Sequence, residues 1–332
     1  MKFGPVTLDA AEGAILAHSV ALPKGRLRKG LTLDAAALEK LRNAGVEEIT
    51  VARLEPGDVH EDRAAERLAQ ALVPDPKAVN LRVAPASTGR VNIYATGNGV
   101  AEIDADKINA VNAVHPMITV ATVPEWQRMA ARGMVATVKI ISYAAPGDAL
   151  ERTCSVGQTA LALRPVTRKR TVLIQTSVGG QDVGDKGVRA MSMRFDRMGV
   201  TLNDQTVVPH RIEALRDALA AARPDHDILC ILTGSATSDL YDVAPQALRA
   251  AGGEVVHYGM PVDPGNLLFW GHLDGVPVIG LPGCARSPAM NGADWVLERL
   301  LCDVPVSPGD IMGMGVGGLL KEPPSRPRPR ES

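Results

Sequence analysis

Residues 227–238 read Asp227-Ile228-Leu229-Cys230-Ile231-Leu232-Thr233-Gly234-Ser235-Ala236-Thr237-Ser238, and this stretch decides the fold. The apolar run is short and unbroken, the pattern of a strand buried on both faces. The small hydroxyl residues after it leave their backbone N–H groups unshielded. Asp242-Val243-Ala244-Pro245-Gln246-Ala247-Leu248 then reads as a helix start with Asp242 as its N-cap. A strand, a small-residue loop and a helix in that order predict an anion cradle. Gly252-Gly253 closes the helix. A second buried run, Val276-Pro277-Val278-Ile279-Gly280-Leu281, breaks into Pro282-Gly283-Cys284-Ala285-Arg286-Ser287 before a further helical segment from Pro288. In an open parallel sheet such loops share the carboxyl edge, where ligands of this architecture bind.

Upstream, Thr171-Val172-Leu173-Ile174-Gln175 reads as the first strand and residues 176–185 as a Gly-rich loop. A helix over 186–198 aligns Val188, Met191, Phe195 and Met198 on one face before Gly199 stops it. Another over 211–222 aligns Ile212, Leu215 and Leu219. This alternation up to Cys302 predicts a doubly wound α/β domain over 168–302, with three loops at one crevice. Gly179 and Gly184 have the glycine spacing of a P-loop, but Asp185 stands where its lysine belongs and no Ser or Thr follows Lys186. A dinucleotide fingerprint is also missing, since Gly313-Met314-Gly315-Val316-Gly317-Gly318 follows no strand. The seven His residues show no metal-binding spacing. Ser235 lacks the context of a serine nucleophile. Cys284 reads as a small packed thiol or as a reactive one.

Two smaller units are expected ahead of this domain. Over 1–76, a helix at 34–43 places Ala37, Leu38 and Leu41 on one face, with Gly45 as its stop and a strand after it. The basic loop Lys24-Gly25-Arg26-Leu27-Arg28-Lys29-Gly30 is either a solvated surface or a contact to an anion. A helix over 61–72 leads to the hinge Val73-Pro74-Asp75-Pro76. Over 80–164 the pattern is α+β, with strands at 90–95, 117–122 and 134–143 and a helix at 106–114. Asn92, Asp104, Asn109, Asn112, Thr119 and Thr122 either line a cleft or serve as turn, cap and surface residues. Residues 303–332, with their proline–arginine end, read as a tail or linker.

Bulk composition narrows the function. Thirty-six Lys and Arg against 37 Asp and Glu give no sign of a nucleic-acid or membrane-surface partner. Four cysteines without CxxC spacing argue for a reducing compartment and against structural zinc. With no apolar signal region and no run long enough to span a bilayer, the expected location is the cytoplasm.

Residues 168–302 resemble the molybdopterin-binding domain (MoaB/Mog-like) of molybdenum-cofactor biosynthesis proteins, with a motif order similar to molybdopterin molybdotransferase. Thr233-Gly234-Ser235-Ala236-Thr237 matches the family's Gly-rich hydroxyl loop, and Asp242 falls on the acid that follows it. Asp263-Pro264-Gly265-Asn266 resembles its Lys-Pro-Gly-Lys turn, and Leu281-Pro282-Gly283-Cys284 its Leu-Pro-Gly-Asn-Pro loop. The resemblance implies a three-layer α/β domain that seats the pterin phosphate on the N–H groups of residues 234–238, ending at Ser238. Asp242 would then be the catalytic or Mg²⁺-holding acid. Thr176, Ser177, Asp185, Pro264, Gly265, Asn266, Pro282, Gly283 and Cys284 would grip the pterin.

The chain departs from that pattern at several points. Its first loop lacks the Thr-Gly-Asp-Glu acids, Ser235 replaces a glycine, Asn266 a lysine and Cys284 an asparagine, and Gly187 loses an Asn. The Met-Asp-Gly-Tyr-Ala segment of the full-length enzyme is missing from the N-terminal half. Binding of molybdopterin or adenylyl-molybdopterin survives this comparison better than Mg²⁺ and molybdate chemistry, which relies on clustered carboxylates. Two readings follow from the resemblance: a molybdotransferase-like enzyme, or a module delivering the cofactor to a nucleotidyltransferase or molybdoenzyme partner; either is compatible with a monomer or a homo-oligomer. A third is a doubly wound domain for an unrelated phosphorylated small molecule.

Overall fold

The structure is a computed structural model and describes residues 1–320. The segment 321–330, expected to be a linker, lies outside the described residues. The chain divides into two compact units, Met1–Gly97 with Ala101–Leu163, and Asn98–Val100 with Arg164–Ser332.

The first unit holds two apolar clusters. In residues 1–53, strand Glu48–Arg53 lies between Lys2–Thr7 and Ile15–Leu16. Helix Ala35–Asn43 starts where the Asp34 carboxylate accepts the Ala37 N–H at 2.8 Å. It buries Ala37, Leu38 and Leu41 with Leu8, Leu16, Leu33, Ile49 and Val51. The second cluster packs helix Glu61–Leu72 and its neighbours on an antiparallel sheet ordered Ile118–Thr122, Met134–Ile140, Arg90–Ala95, Leu81–Val83.

The polar residues of the second segment are mostly spent on local structure. Asp104 caps helix Ala105–Val114. The Asn112 amide bonds both the N–H and the C=O of Val120, at 2.8 and 2.9 Å. Thr137 donates to Asn92, and Thr119 to the Lys139 carbonyl. Helix Gly147–Val156 escapes a reading of the sequence because it follows Pro146 and opens without a capping side chain.

The second unit is the doubly wound α/β domain. Its sheet runs Asp204–Pro209, Thr171–Ser177, Ile228–Leu232, Val276–Leu281, Phe269–Leu273, Glu254–Tyr258. The first four strands are parallel. All five residues of Ile228–Leu232 are fully buried, which demands cover on both faces. Alternation along the strands divides that cover. Val172, Ile174, Leu229 and Ile231 pack with Leu215 and Leu219 of helix Ile212–Ala222 and with Ala247 and Leu248 of helix Val243–Ala250. The opposite face meets helix Lys186–Arg197, whose Gly187 lies over Gln175 and Leu232.

The alternation expected from the sequence fails at one place. Phe269–Leu273 is antiparallel to both neighbours. The reversal comes from Asp274-Gly275, two residues with φ of 48° and 81°, a conformation that suits the twist of a tight hairpin. Residues 303–320 also differ from a plain tail. They form helix Pro308–Met312 under a capping box at Ser307, with Ile311 buried, and the Asp263 N–H donates to the Gly318 carbonyl at 2.8 Å.

At the amino edge of this sheet Asp227 ties two strand starts together. Its carboxylate accepts the N–H groups of Lys169 and Arg170, each at 2.9 Å, and two bonds from the Arg170 guanidinium at 2.9 and 2.7 Å. Burial works to raise the Asp227 pKa, but these donors outweigh it and hold the carboxyl down at about 2. The folded form therefore binds fewer protons here than the unfolded form, whose Asp titrates near about 3.9. The stabilisation is whole above that value and is lost as pH falls through about 2. Replacing Arg170 by Gln is expected to move the acid-unfolding midpoint of the full chain to higher pH. An unchanged midpoint would show that the pair contributes nothing to acid resistance.

Candidate functional site

Three adjacent parallel strands, Thr171–Ser177, Ile228–Leu232 and Val276–Leu281, send their loops to one carboxyl edge. Bonds between the loops fix their positions. Thr176, fully buried, accepts the Gly234 N–H at 2.9 Å through Oγ1, which also lies 2.8 Å from His210 Nδ1. The Ser177 carbonyl accepts the His210 N–H at 2.8 Å. Gly234 is required by this approach, since a Cβ there would lie 2.5 Å from the Thr176 carbonyl oxygen. Across the other gap, Arg286 donates to the Thr233 carbonyl at 2.8 Å.

The hydroxyl loop is closed at both ends and open in the middle. Thr233 and Thr237 bring their hydroxyls within 3.4 Å, and Tyr258 donates to the Thr237 carbonyl at 3.0 Å. Asp242 accepts the Ser238 N–H at 2.9 Å and the Val243 N–H at 2.7 Å. Between these anchors, the N–H groups of Ser235, Ala236 and Thr237 have no partner among the described residues. Ser235 and Ala236 are exposed. Unpartnered amides on an exposed small-residue loop are a surface for an anion.

The third loop is held from beneath by a side chain absent from the sequence-based expectations. Arg194 is 4 % exposed and its partner Asp294 3 %, with Nε to Oδ1 at 2.5 Å. The guanidinium also donates to the carbonyls of Ala190, Ala285, Ser287 and Ala289 at 2.9–3.2 Å. Asp294 in turn closes a capping box with Asn291 at the head of helix Gly292–Leu301. Asn291 sends its amide to Cys284 Sγ at 3.1 Å. The turn Asp263-Pro264-Gly265-Asn266 sits at the same helix start. Pro264 accepts the Gly292 N–H at 2.8 Å, and a Cβ on Gly265 would come within 3.0 Å of that nitrogen.

Residues 170–301 match a family described as a probable molybdopterin binding domain. This segment belongs to that domain family. Residues 5–53 match a domain of unknown function. No curated protein matches the chain. Among solved structures, the chain is similar to a molybdopterin biosynthesis MoeA protein of Pyrococcus horikoshii, at 15% identity over 91% of this chain and 75% of that one, with a TM-score of 0.32. A molybdenum cofactor biosynthesis protein of Pyrococcus furiosus matches at 13% identity over 94% and 65%, TM-score 0.26. The CinA protein of Thermoplasma acidophilum, of unknown function, matches at 15% over 36% and 90%, TM-score 0.23.

Within the molybdopterin-binding domain the residues singled out from sequence fall into distinct positions. Gly234, Ser235, Ala236, Thr237 and Ser238 form the open loop. Pro282 is buried at the foot of the third loop, and Gly283 and Cys284 are exposed on it. Thr176 is a strut between loops, and Ser177 offers its carbonyl to His210. Asp185 pairs with Arg189 at 2.5 Å on the helix surface. Asn266 bonds its own loop at Met260, and Pro264 and Gly265 are buried against the helix start.

Asp242 was the acid expected to hold Mg²⁺. Both of its oxygens already accept backbone N–H groups, and nearby Asp239 accepts from Tyr241. Among the described residues no group of three or more His, Cys, Asp or Glu side chains could hold a metal ion. Asp242 shapes the cradle as its end post. Gln175 is a further feature of the wall. Its Oε1 is buried without a partner and faces the first turn of helix Lys186–Arg197, where a Cβ on Gly187 would approach it to 2.5 Å.

Proposed function

We propose that this chain binds molybdopterin or its adenylylated form at the carboxyl edge of residues 170–301, and serves molybdenum-cofactor biosynthesis by presenting it to a partner protein. The observation that carries this reading is the row of open N–H groups at Ser235, Ala236 and Thr237, held by struts to both neighbouring loops inside a domain of the molybdopterin-binding family. The phosphate sits on those amides, and the exposed rims at Gly179-Gly180 and Gly283-Cys284 flank the pterin. Binding and delivery to a nucleotidyltransferase or molybdoenzyme fit the site better than molybdate insertion, because Asp242 is already engaged as a cap. Molybdotransferase-like turnover is the second reading, and it needs carboxylates that the loops do not gather.

Cys284 gives a direct test. It is the exposed member of the four cysteines; Cys154 is half-buried, and burial pushes the Cys230 and Cys302 thiols up to about 12. Cys284 is therefore expected to be the fast-reacting thiol toward iodoacetamide. Molybdopterin at about ten times its Kd leaves about one site in ten free and should slow that alkylation about tenfold. Saturable binding by equilibrium titration should accompany the protection. Alkylation at an unchanged rate, with no saturable binding, removes the reading.

A further inference from the structure

We propose that Arg286 is the cationic half of an oxyanion site whose neutral half is the open N–H row at Ser235, Ala236 and Thr237, and that this site takes the phosphate monoester of the ligand. The inference rests on the molybdopterin reading for the rest of the ligand. Arg286 is the single basic residue among loop residues 176–185, 233–242 and 282–291. It stands half-buried between two of them, with one donor on the Thr233 carbonyl. No carboxylate pairs with it among the described residues. None of its nitrogens is both buried and unpartnered, so the remaining donors of the fork open on solvent.

The nearby acids do not compete for it. Asp242 is turned to the N–H groups of Ser238 and Val243, Asp239 to that of Tyr241, Asp182 to that of Gly184, and Asp185 to Arg189. A half-buried guanidinium without a counter-charge costs stability unless an anion completes it. Burial pushes the Arg286 pKa below its ordinary value, the direction expected of that desolvation. The amides and the cation are linked through the loop itself. Arg286 holds the Thr233 carbonyl, and the Thr233 and Thr237 hydroxyls stand 3.4 Å apart. A planar fork together with a row of N–H groups suits the several oxygens of a phosphate.

The test compares wild type, R286Q and R286K in the full chain, with inorganic phosphate, molybdopterin and dephosphorylated molybdopterin as probes. Wild type should bind inorganic phosphate and prefer molybdopterin to the dephosphorylated form. R286Q should weaken both phosphate-bearing probes about tenfold to a hundredfold, the loss of a charge-assisted bond, and leave the dephosphorylated pterin unchanged. R286K should keep part of the preference. If R286Q fails to fold, R286K decides with the salt dependence of wild-type phosphate binding, which a cationic site must show. Equal binding of molybdopterin by wild type and R286Q overturns the role of Arg286 and leaves molybdopterin binding standing. Arg286-dependent phosphate binding without pterin binding overturns the molybdopterin reading and leaves the anion site. Binding of none of the probes overturns both.

Discussion

Replacing Arg194 by Met is expected to lower the stability of residues 164–320 by about 3–5 kcal/mol, because the change leaves the Asp294 carboxylate buried without its counter-charge. Four carbonyls lose a donor at the same time, among them those of Ala285, Ser287 and Ala289 in the third loop. The two effects have different readouts. Loss of the charge partner should show as faster hydrogen exchange at the amides of Ile228–Leu232, which report the opening of the whole sheet. Release of the carbonyls should show as weaker molybdopterin binding under conditions where the variant is still folded. The double variant R194M/D294L should recover part of the stability, since removing both charges leaves neither unpaired. It should not recover binding. An R194M chain that exchanges and binds like wild type would mean that the buried pair neither supports the domain nor shapes its loop.

The second large effect is expected at Gly234. Replacing it by Ala places a Cβ 2.5 Å from the Thr176 carbonyl oxygen and 3.3 Å from the Val178 nitrogen. These are backbone atoms of the adjacent strand and loop, so neither swings aside as a side-chain tip would. The two loops must part, at a cost of about 1–3 kcal/mol for overpacking. The Gly234 N–H also leaves Thr176 Oγ1, and the amides of Ser235, Ala236 and Thr237 shift with it. Molybdopterin affinity should therefore fall by more than about tenfold, a displacement worth only about 1.4 kcal/mol. Gly283→Ala in the neighbouring loop is the comparison. Its Cβ meets nothing nearer than Arg286 Nη1 at 3.9 Å, so its thermal stability should stay within about 0.5 kcal/mol. If G234A and G283A melt alike and bind alike, the close approach of the loops carries no weight.

The sequence by itself determined the elements whose burial is local and periodic. Ile228–Leu232 and Val276–Leu281 were legible as strands because an unbroken short apolar run has few other uses, and helices Ala35–Asn43 and Glu61–Leu72 because their apolar faces recur at helical spacing between clear signals. The small-residue loops followed from position, at the ends of parallel strands. Strands Asp204–Pro209 and Glu254–Tyr258 left no such pattern, since both lie at sheet edges and bury few side chains. Asp274-Gly275 between apolar runs is a readable hairpin signal, and it was the clue to the antiparallel strand that alternation alone missed.

Tertiary structure alone decided which partners the residues around the cradle meet. Arg194 looks like a polar interruption beside Met191 and Phe195, and only the fold brings Asp294 and three loop carbonyls, 91 to 100 positions away, to its fork. Thr176 reads as a ligand hydroxyl in sequence, and only the fold presents the Gly234 N–H to it. Asp242 suits a metal ligand and a helix cap equally well in sequence, and only the fold shows the two N–H groups, of Ser238 and Val243, that it caps. Arg286 carries no local signal of a site, because an arginine in a loop is ordinarily solvated. The physical reason is common to all four. A polar side chain takes its role from the partners that reach it, and those partners arrive from strands and loops whose neighbours in space are set by the order of the sheet.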